Sequence, residues 1–352
     1  MPYVLGHQEE LVGVRLGLTM GDPAGIGPEI VLAAARELAP RVAAGEFALI
    51  VVGTPRCFEE TASRLNLSAE IVAGDEPVAW PRVPVIEAAR TEVAIEPGRL
   101  SAEAGRLAYA AIERAVALAM AGAIDAIVTA PISKEALHLA GYSYPGHTEI
   151  LAELTGSKGS CMMLVHDRLR VSHVSTHVAL AEVPRRVTPE RLRYVIDLTH
   201  QALLDLGLER PRIGVCALNP HAGEGGMFGR EDVDVIAPVV ESYRAAGMDV
   251  TGPVPADTIY VKALAGQFDA VVAMYHDQGH IVVKTLGFVM DPESGQMSAL
   301  SGVNVTLGLP IVRTSVDHGT AFDIAGKGIA NAQSMVEAIE VAARLVGARR
   351  TQ

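Results

Sequence analysis

Short apolar runs of strand length alternate with helical patterns along almost the whole chain, and that alternation limits the possible folds more than any other feature. FALIVVG (47–53), IDAIVTAP (124–131), RIGVCAL (212–218) and DAVVAMY (269–275) are continuous apolar runs that end in turn residues. Strands buried on both faces read this way in parallel sheets covered by helices. Helical stretches lie between them. Residues 102–121 form an Ala-rich pattern with Ser101 as N-cap and Gly122 just past the end. Further helices are expected over 188–207, 230–246 and 331–346. Near the N-terminus a strand over 11–20 meets the turn GDPAGIG, after which Pro28 and Glu29 open a helix. The exception is 160–176, where SCMMLVH and LRVSHVST flank a polar turn at Asp167 and Arg168, which predicts a hairpin. VNVTLGLPIVRTS (303–315) is strand-rich. The pattern predicts an α/β protein with a mainly parallel sheet.

At 352 residues the chain exceeds what one core supports. No linker marks a boundary, so a split that the chain crosses twice is expected. The net charge of −12 argues against a nucleic-acid partner, and an anionic substrate would need local cations. Cys57, Cys161 and Cys216 are scattered and odd in number, which suits buried small hydrophobes in a reducing compartment. MPYVLGHQEE lacks the form of a secretory leader, and no stretch reaches the roughly 18 apolar residues of a membrane span. A cytoplasmic protein without a membrane partner is expected.

Four motifs carry chemistry. Gly21 to Glu29, GDPAGIGPE, is a glycine-rich strand-to-helix turn that suits either close ligand approach or simple turning. Its spacing is not G-x-G-x-x-G, and no Walker A sequence is present. His177 in STHVAL, His221 in NPHAGEGG and His276 in YHDQG follow strands, where α/β sheets gather ligands. They form either a three-nitrogen metal site or three unrelated polar caps. His173 and His177, and likewise His276 and His280, are spaced four apart, so either pair could chelate. Lys284 and Arg313 flank Asn304 as anion donors, and Arg313 sits in the apolar strand PIVRTSVDHG, where a lone charge is costly. In PGHTE, His147 and Thr148 stand at a helix start and suit anion binding or N-capping by Thr148.

Together LTMGDPAGIGPEI, TAPISKEAL, GHTEILAELTG, STHVAL, NPHAGEGGMFGRE, PADTIY, YHDQG and VNVTLGLPIVRTSVDHGTAFDIAGKG resemble the 4-hydroxythreonine-4-phosphate dehydrogenase family over about residues 16–330. The resemblance implies an isocitrate/isopropylmalate dehydrogenase-like fold, with two α/β/α domains and a cleft between them. Residues 1–128 with 305–352 would form an outer domain, and 129–304 a middle domain with dimerisation and metal-site elements. It further implies a homodimer with ligands from both subunits. His177, His221 and His276 match divalent-metal ligands; His147, Thr148, Lys284, Asn304 and Arg313 match substrate contacts. NAD or NADP is the implied cofactor, with Gly223, Gly225 and Gly226 as candidate contacts. Three imidazoles suit zinc, cobalt or nickel better than magnesium. Asp257 and Asp277 are candidate general bases by chemistry. The implied reaction oxidises a phosphorylated hydroxy acid to a β-keto acid that loses CO₂. His173, His280 and the segment 289–302 depart from the pyridoxal-pathway pattern and resemble the family's catabolic branch, which acts on 4-phospho-D-threonate or 4-phospho-D-erythronate. There His280 would read a substrate hydroxyl. A metal-dependent lyase on a phosphorylated sugar acid is the rival of another class, and it would turn over without NAD. A small-molecule sensor and a dihydrodiol dehydrogenase without a phosphate clamp are further alternatives.

Overall fold

The computed structural model describes residues 13–76, 78–293 and 297–351. They form two α/β units. The first unit begins with β1 (Val14–Thr19), α1 (Gly27–Glu37), α2 (Ala39–Ala43), β2 (Phe47–Gly53), α3 (Pro55–Arg64), β3 (Glu70–Ala73) and β4 (Arg82–Glu87). It continues through α4 (Ala102–Met120), β5 (Ala126–Thr129), α5 (Lys134–Leu139) and α6 (His147–Thr155). The second unit holds β6 (Cys161–His166), β7 (Leu169–His173), α7 (Val183–Arg186), α8 (Pro189–Asp205), β8 (Ile213–Cys216), α9 (Ala237–Ala245), β9 (Val250–Val254) and α10 (Ala256–Leu264). It ends with β10 (Ala270–Ala273), α11 (His276–Gly287), β11 (Phe288–Met290), β12 (Met297–Leu300) and β13 (Val303–Leu307). The chain then returns to the first unit with β14 (Val312–Val316) and α12 (Gln333–Thr351).

The chain therefore crosses twice, after Ser160 and after Gly308. The first crossing lies later than the expected 128. Leu137 of α5 and Ile150 and Leu151 of α6 share a buried cluster with Ile112 and Ala115 of α4, which ties both helices to the first unit. Burying such side chains stabilises by about 1.5–3 kcal/mol each.

In the first unit the strand order is β3-β4-β2-β1-β5-β14, and every pairing is parallel. Successive strands leave β1 in one direction through β2, while β5 lies on its other side. Such a reversal opens a ligand crevice at the carboxyl ends of the two strands. The GDPAGIG turn follows β1 and packs on the turn after β5, where the Asp22 N–H donates to the Pro131 carbonyl at 2.9 Å.

In the second unit the order is β13-β6-β7-β10-β8-β9. The β6–β7 hairpin is antiparallel with Asp167 in its turn at φ 50°, while β7, β10, β8 and β9 run parallel. The sheet is thus mixed here, because a hairpin replaces one helical crossover. Within 289–302, β11 and β12 pair antiparallel as a ribbon, and 294–296 lie outside the described residues. The leader expectation and positions 11 and 12 of the first predicted strand also fall outside them. Ser101 caps α4 by accepting from the Ala104 N–H at 3.1 Å, as the sequence predicts. All three cysteines are free and buried. Among the described residues no helix is long and apolar enough to cross a membrane.

Candidate active site

Three neighbouring parallel strands of the second unit, β7, β10 and β8, end at one edge of the sheet. Each is followed within five residues by one of the singled-out histidines: His177 after β7, His276 after β10 and His221 after β8. The segments are stitched together at their exits. Val174 N–H donates to the Ala273 carbonyl at 2.8 Å, and Ser175 Oγ donates to the Met274 carbonyl at 2.9 Å. The rings of His177 and His276 lie 5.7 Å apart. The ring of His221 lies 6.3 Å from that of Phe228. Among the described residues no three metal-binding side chains converge.

His276 is the first residue of α11. Its Nδ1 lies 2.7 Å from Asp277 Oδ1. A carboxylate only accepts, so Nδ1 carries the proton and Nε2 keeps its lone pair for a ligand. This is the usual arrangement of a metal-bound imidazole. It gives Asp277 an orienting contact. Asp257, the other candidate base, is exposed in the first turn of α10.

Two buried side chains brace these histidines, and neither was singled out from the sequence. Gln278 accepts from the Met274 N–H at 2.7 Å and donates to the Ala217 carbonyl at 2.8 Å, so it joins the exits of β10 and β8. Asp232 accepts from the Leu218 N–H at 2.8 Å and from the Asn219 N–H at 3.0 Å. It lies in a π-helical turn, Asp232–Ile236, within the stretch expected to be simply helical. Asp232 thus holds the start of the loop that carries His221. In that loop His221, Ala222, Gly223, Glu224 and Gly225 all have φ between 43° and 78°, and Gly226 follows at 100°. A non-glycine residue in this region costs about 1–2 kcal/mol. Only a braced loop keeps His221, Ala222 and Glu224 there. The glycine spacing was the one readable signal; the left-handed run itself was not.

His280 is almost buried, at 6% exposure. Lys284 lies one turn further along α11, its Nζ 4.4 Å from the Phe288 ring centre. Asn304 is in β13, and its Oδ1 lacks a hydrogen-bond partner among the described residues.

The first unit places Arg313 in β14 opposite Ile127 of β5, at 2% exposure. Its Nη2 donates to Thr129 Oγ1 at 2.7 Å, and burial pushes the guanidinium down to about 9. His147 opens α6. Burial, and then the charge of Arg313, hold its imidazole well below the ordinary value, and its Nε2 has no hydrogen-bond partner among the described residues. Thr148 is the second residue of that helix and does not cap it, because the N-cap is Gly146. A buried cation beside an unsatisfied neutral imidazole at a helix start is an environment prepared for an anion. In the turn after β1, Asp22 is wholly buried. Its Oδ1 accepts from the Ala24 N–H at 2.9 Å, its Oδ2 has no hydrogen-bond partner among the described residues, and burial raises its carboxyl to about 6.

Residues 46–342 match the family described as "Pyridoxal phosphate biosynthetic protein PdxA". The chain belongs to the PdxA family. It is 59% identical over 333 residues to a protein of Bradyrhizobium diazoefficiens provisionally named a D-threonate 4-phosphate dehydrogenase, covering 94% of this chain and 96% of that one. A D-threonate 4-phosphate dehydrogenase of Pectobacterium atrosepticum is 45% identical over 94% of this chain and 98% of its own. The crystal structure of a 4-hydroxythreonine-4-phosphate dehydrogenase from Klebsiella pneumoniae is 43% identical with a TM-score of 0.82, covering 95% and 98% of the two chains. This PdxA-family chain is accordingly a dehydrogenase of the two-unit α/β class expected from its motifs.

Proposed function

We propose that this chain oxidises D-threonate 4-phosphate with NAD or NADP, giving a β-keto acid that loses CO₂. Support for this substrate, rather than its 4-hydroxythreonine analogue, comes from the name of the 59% identical relative. Support for a phosphorylated substrate comes from the buried Arg313 beside His147. Arg313, His147 and Thr148 take the phosphate, with Lys284 and Asn304 as further substrate donors. The Thr129 hydroxyl fixes the guanidinium plane.

His177 and His276 supply imidazole nitrogens to a divalent metal, and Asp277 holds His276 in the tautomer that this requires. The donor set fits zinc, cobalt or nickel. Among the described residues two of the three imidazoles, His177 and His276, lie together, and in this reading His221 of a second subunit completes the set in a homodimer. When bound, the metal supplies Lewis acidity to the substrate hydroxyl and the dinucleotide supplies the hydride acceptor.

The test is a side-by-side assay of NADH and NADPH formation from D-threonate 4-phosphate, D-erythronate 4-phosphate and 4-hydroxythreonine 4-phosphate with added zinc or cobalt. D-Threonate 4-phosphate is expected to give the highest kcat/KM. If 4-hydroxythreonine 4-phosphate leads, the substrate assignment fails and the biosynthetic reading replaces it. If a phosphorylated acid is consumed without any dinucleotide, the lyase reading takes over.

A further inference from the structure

His276 stands at the weakest point of its element. It is the first residue of α11, where the side chain has no preceding turn to lean on. A metal-binding imidazole needs a fixed ring plane, because the lone pair that binds lies in that plane. Asp277 touches only one nitrogen, and its own side chain is 71% exposed. Something else must hold the ring.

His280 lies one turn further on the same face, and helical side chains lean back toward the N-terminus. Its ring stacks on that of His276 with centres 3.5 Å apart and planes 10° from parallel. Its Nδ1 is 2.9 Å from the His276 carbonyl, which only accepts, so Nδ1 donates and the His280 ring is locked. The His280 ring also meets that of His173, with centres 4.8 Å apart and planes tilted by 49°. His173 is wholly buried in β7, and its Nε2 has no hydrogen-bond partner among the described residues. A buried unsatisfied nitrogen costs about 1–3 kcal/mol, which a leucine would avoid, so packing alone does not explain an imidazole there. Gly279 lets the helix come this close to the strand. A Cβ at that position would overlap His173 Nε2 and lie 2.7 Å from Val171 Cγ1.

We propose that His280 is a positioning residue, a flat plate stacked on His276 and in contact with His173 that fixes the His276 ring for metal binding, and not a reader of the substrate. The inference rests on the assignment of His276 as a metal ligand. The geometry also explains why His280 is almost buried although it follows a candidate ligand by four residues.

The test is Co(II) binding to the full-length protein, followed by titration and by the visible absorption of the bound ion. His280→Leu is expected to weaken Co(II) binding roughly 10- to 100-fold and to change the absorption band. His280→Phe keeps a flat ring and is expected to recover most of the affinity and the band. Wild-type binding and spectrum in His280→Leu would overturn the inference. So would equal losses in both variants, because the stack would then not be the cause. If the leucine variant does not fold, His280→Phe decides alone: a wild-type band supports the plate, and a lost band in a folded protein refutes it. His276→Ala is the control for the underlying assignment. If it binds Co(II) like wild type, His276 is not a ligand, and that failure is separable from failure of the plate.

Discussion

Asp22 and His173 set opposite demands on pH. The Asp22 carboxyl ionises near 3.8 when unfolded but holds its proton to about 6 when buried after β1. Its contribution to stability is therefore full below about 4 and falls as pH rises through 6. The separation is worth at most about 3 kcal/mol. Asp22→Asn keeps an acceptor for the Ala24 N–H. Its melting temperature should rise by several degrees over wild type near pH 8 and match wild type near pH 4. Equal melting temperatures at both would show that the carboxylate is paired when charged. His173 behaves in the reverse sense. Burial, and then His280, hold its imidazole down to about 3, so its contribution is present above 6.5 and is lost as pH falls toward 3. Arg313 is the residue on which substrate affinity should turn. Arg313→Met should raise KM for the phosphorylated substrate about 10- to 100-fold, the worth of a charged hydrogen bond, and Arg313→Lys should recover little because the fork is lost. Steady-state kinetics decide this, and an unchanged KM in Arg313→Met would remove Arg313 from the substrate site. Arg313 was legible from the sequence because a charge inside PIVRTSVDHG needs a reason. Asp22 was legible only as part of a turn, since its burial depends on how the turns after β1 and β5 pack.

At the scale of elements, the strand–helix order, the β6–β7 hairpin and the Ser101 cap could all be read from local pattern. The π-helical turn at Asp232 and the left-handed run at His221 to Gly225 could not, because neither has a periodicity. The two are tied by the hydrogen bonds of Asp232, in the π-helical turn, to the Leu218 and Asn219 amides at the start of the loop. Asp232→Ala leaves two backbone donors without their carboxylate and should cost about 2–3 kcal/mol, with the loop at 219–229 losing amide-exchange protection first. Uniform loss of protection across the second unit would mean that Asp232 supports the fold at large and not this loop. Gln278 illustrates the same limit. Its sequence neighbours mark it as part of YHDQG, yet its role, joining the exits of β10 and β8, exists only once those strands are adjacent.

For the whole molecule, the chain has one feature that a single copy leaves unexplained. Large apolar side chains stand exposed close to each metal-candidate histidine: Leu180 at 70% after His177, Met227 at 75% after His221, and Ile281 at 64% after His276. Val289 and Met290 of the ribbon are also more than half exposed. Apolar residues gathered around a functional site mark a covered surface. Among the described residues, ring contact joins His177 and His276, and no group of three metal-binding side chains forms. A second copy that covers these side chains would also supply the missing donor, so assembly and metal binding should be lost together. Ile281→Glu combined with Leu180→Glu should convert the protein to a monomer in light scattering after size exclusion. The same variant should lose tight Co(II) binding and dehydrogenase activity while its far-UV circular dichroism stays native. Neither substitution removes a candidate ligand, and Leu180→Glu alone, which leaves α11 untouched, should lose metal to the extent that it loses the dimer. A monomer that kept full Co(II) affinity would show that one chain closes its own site by bringing His221 to His177 and His276, and the dimer would then be dispensable for chemistry.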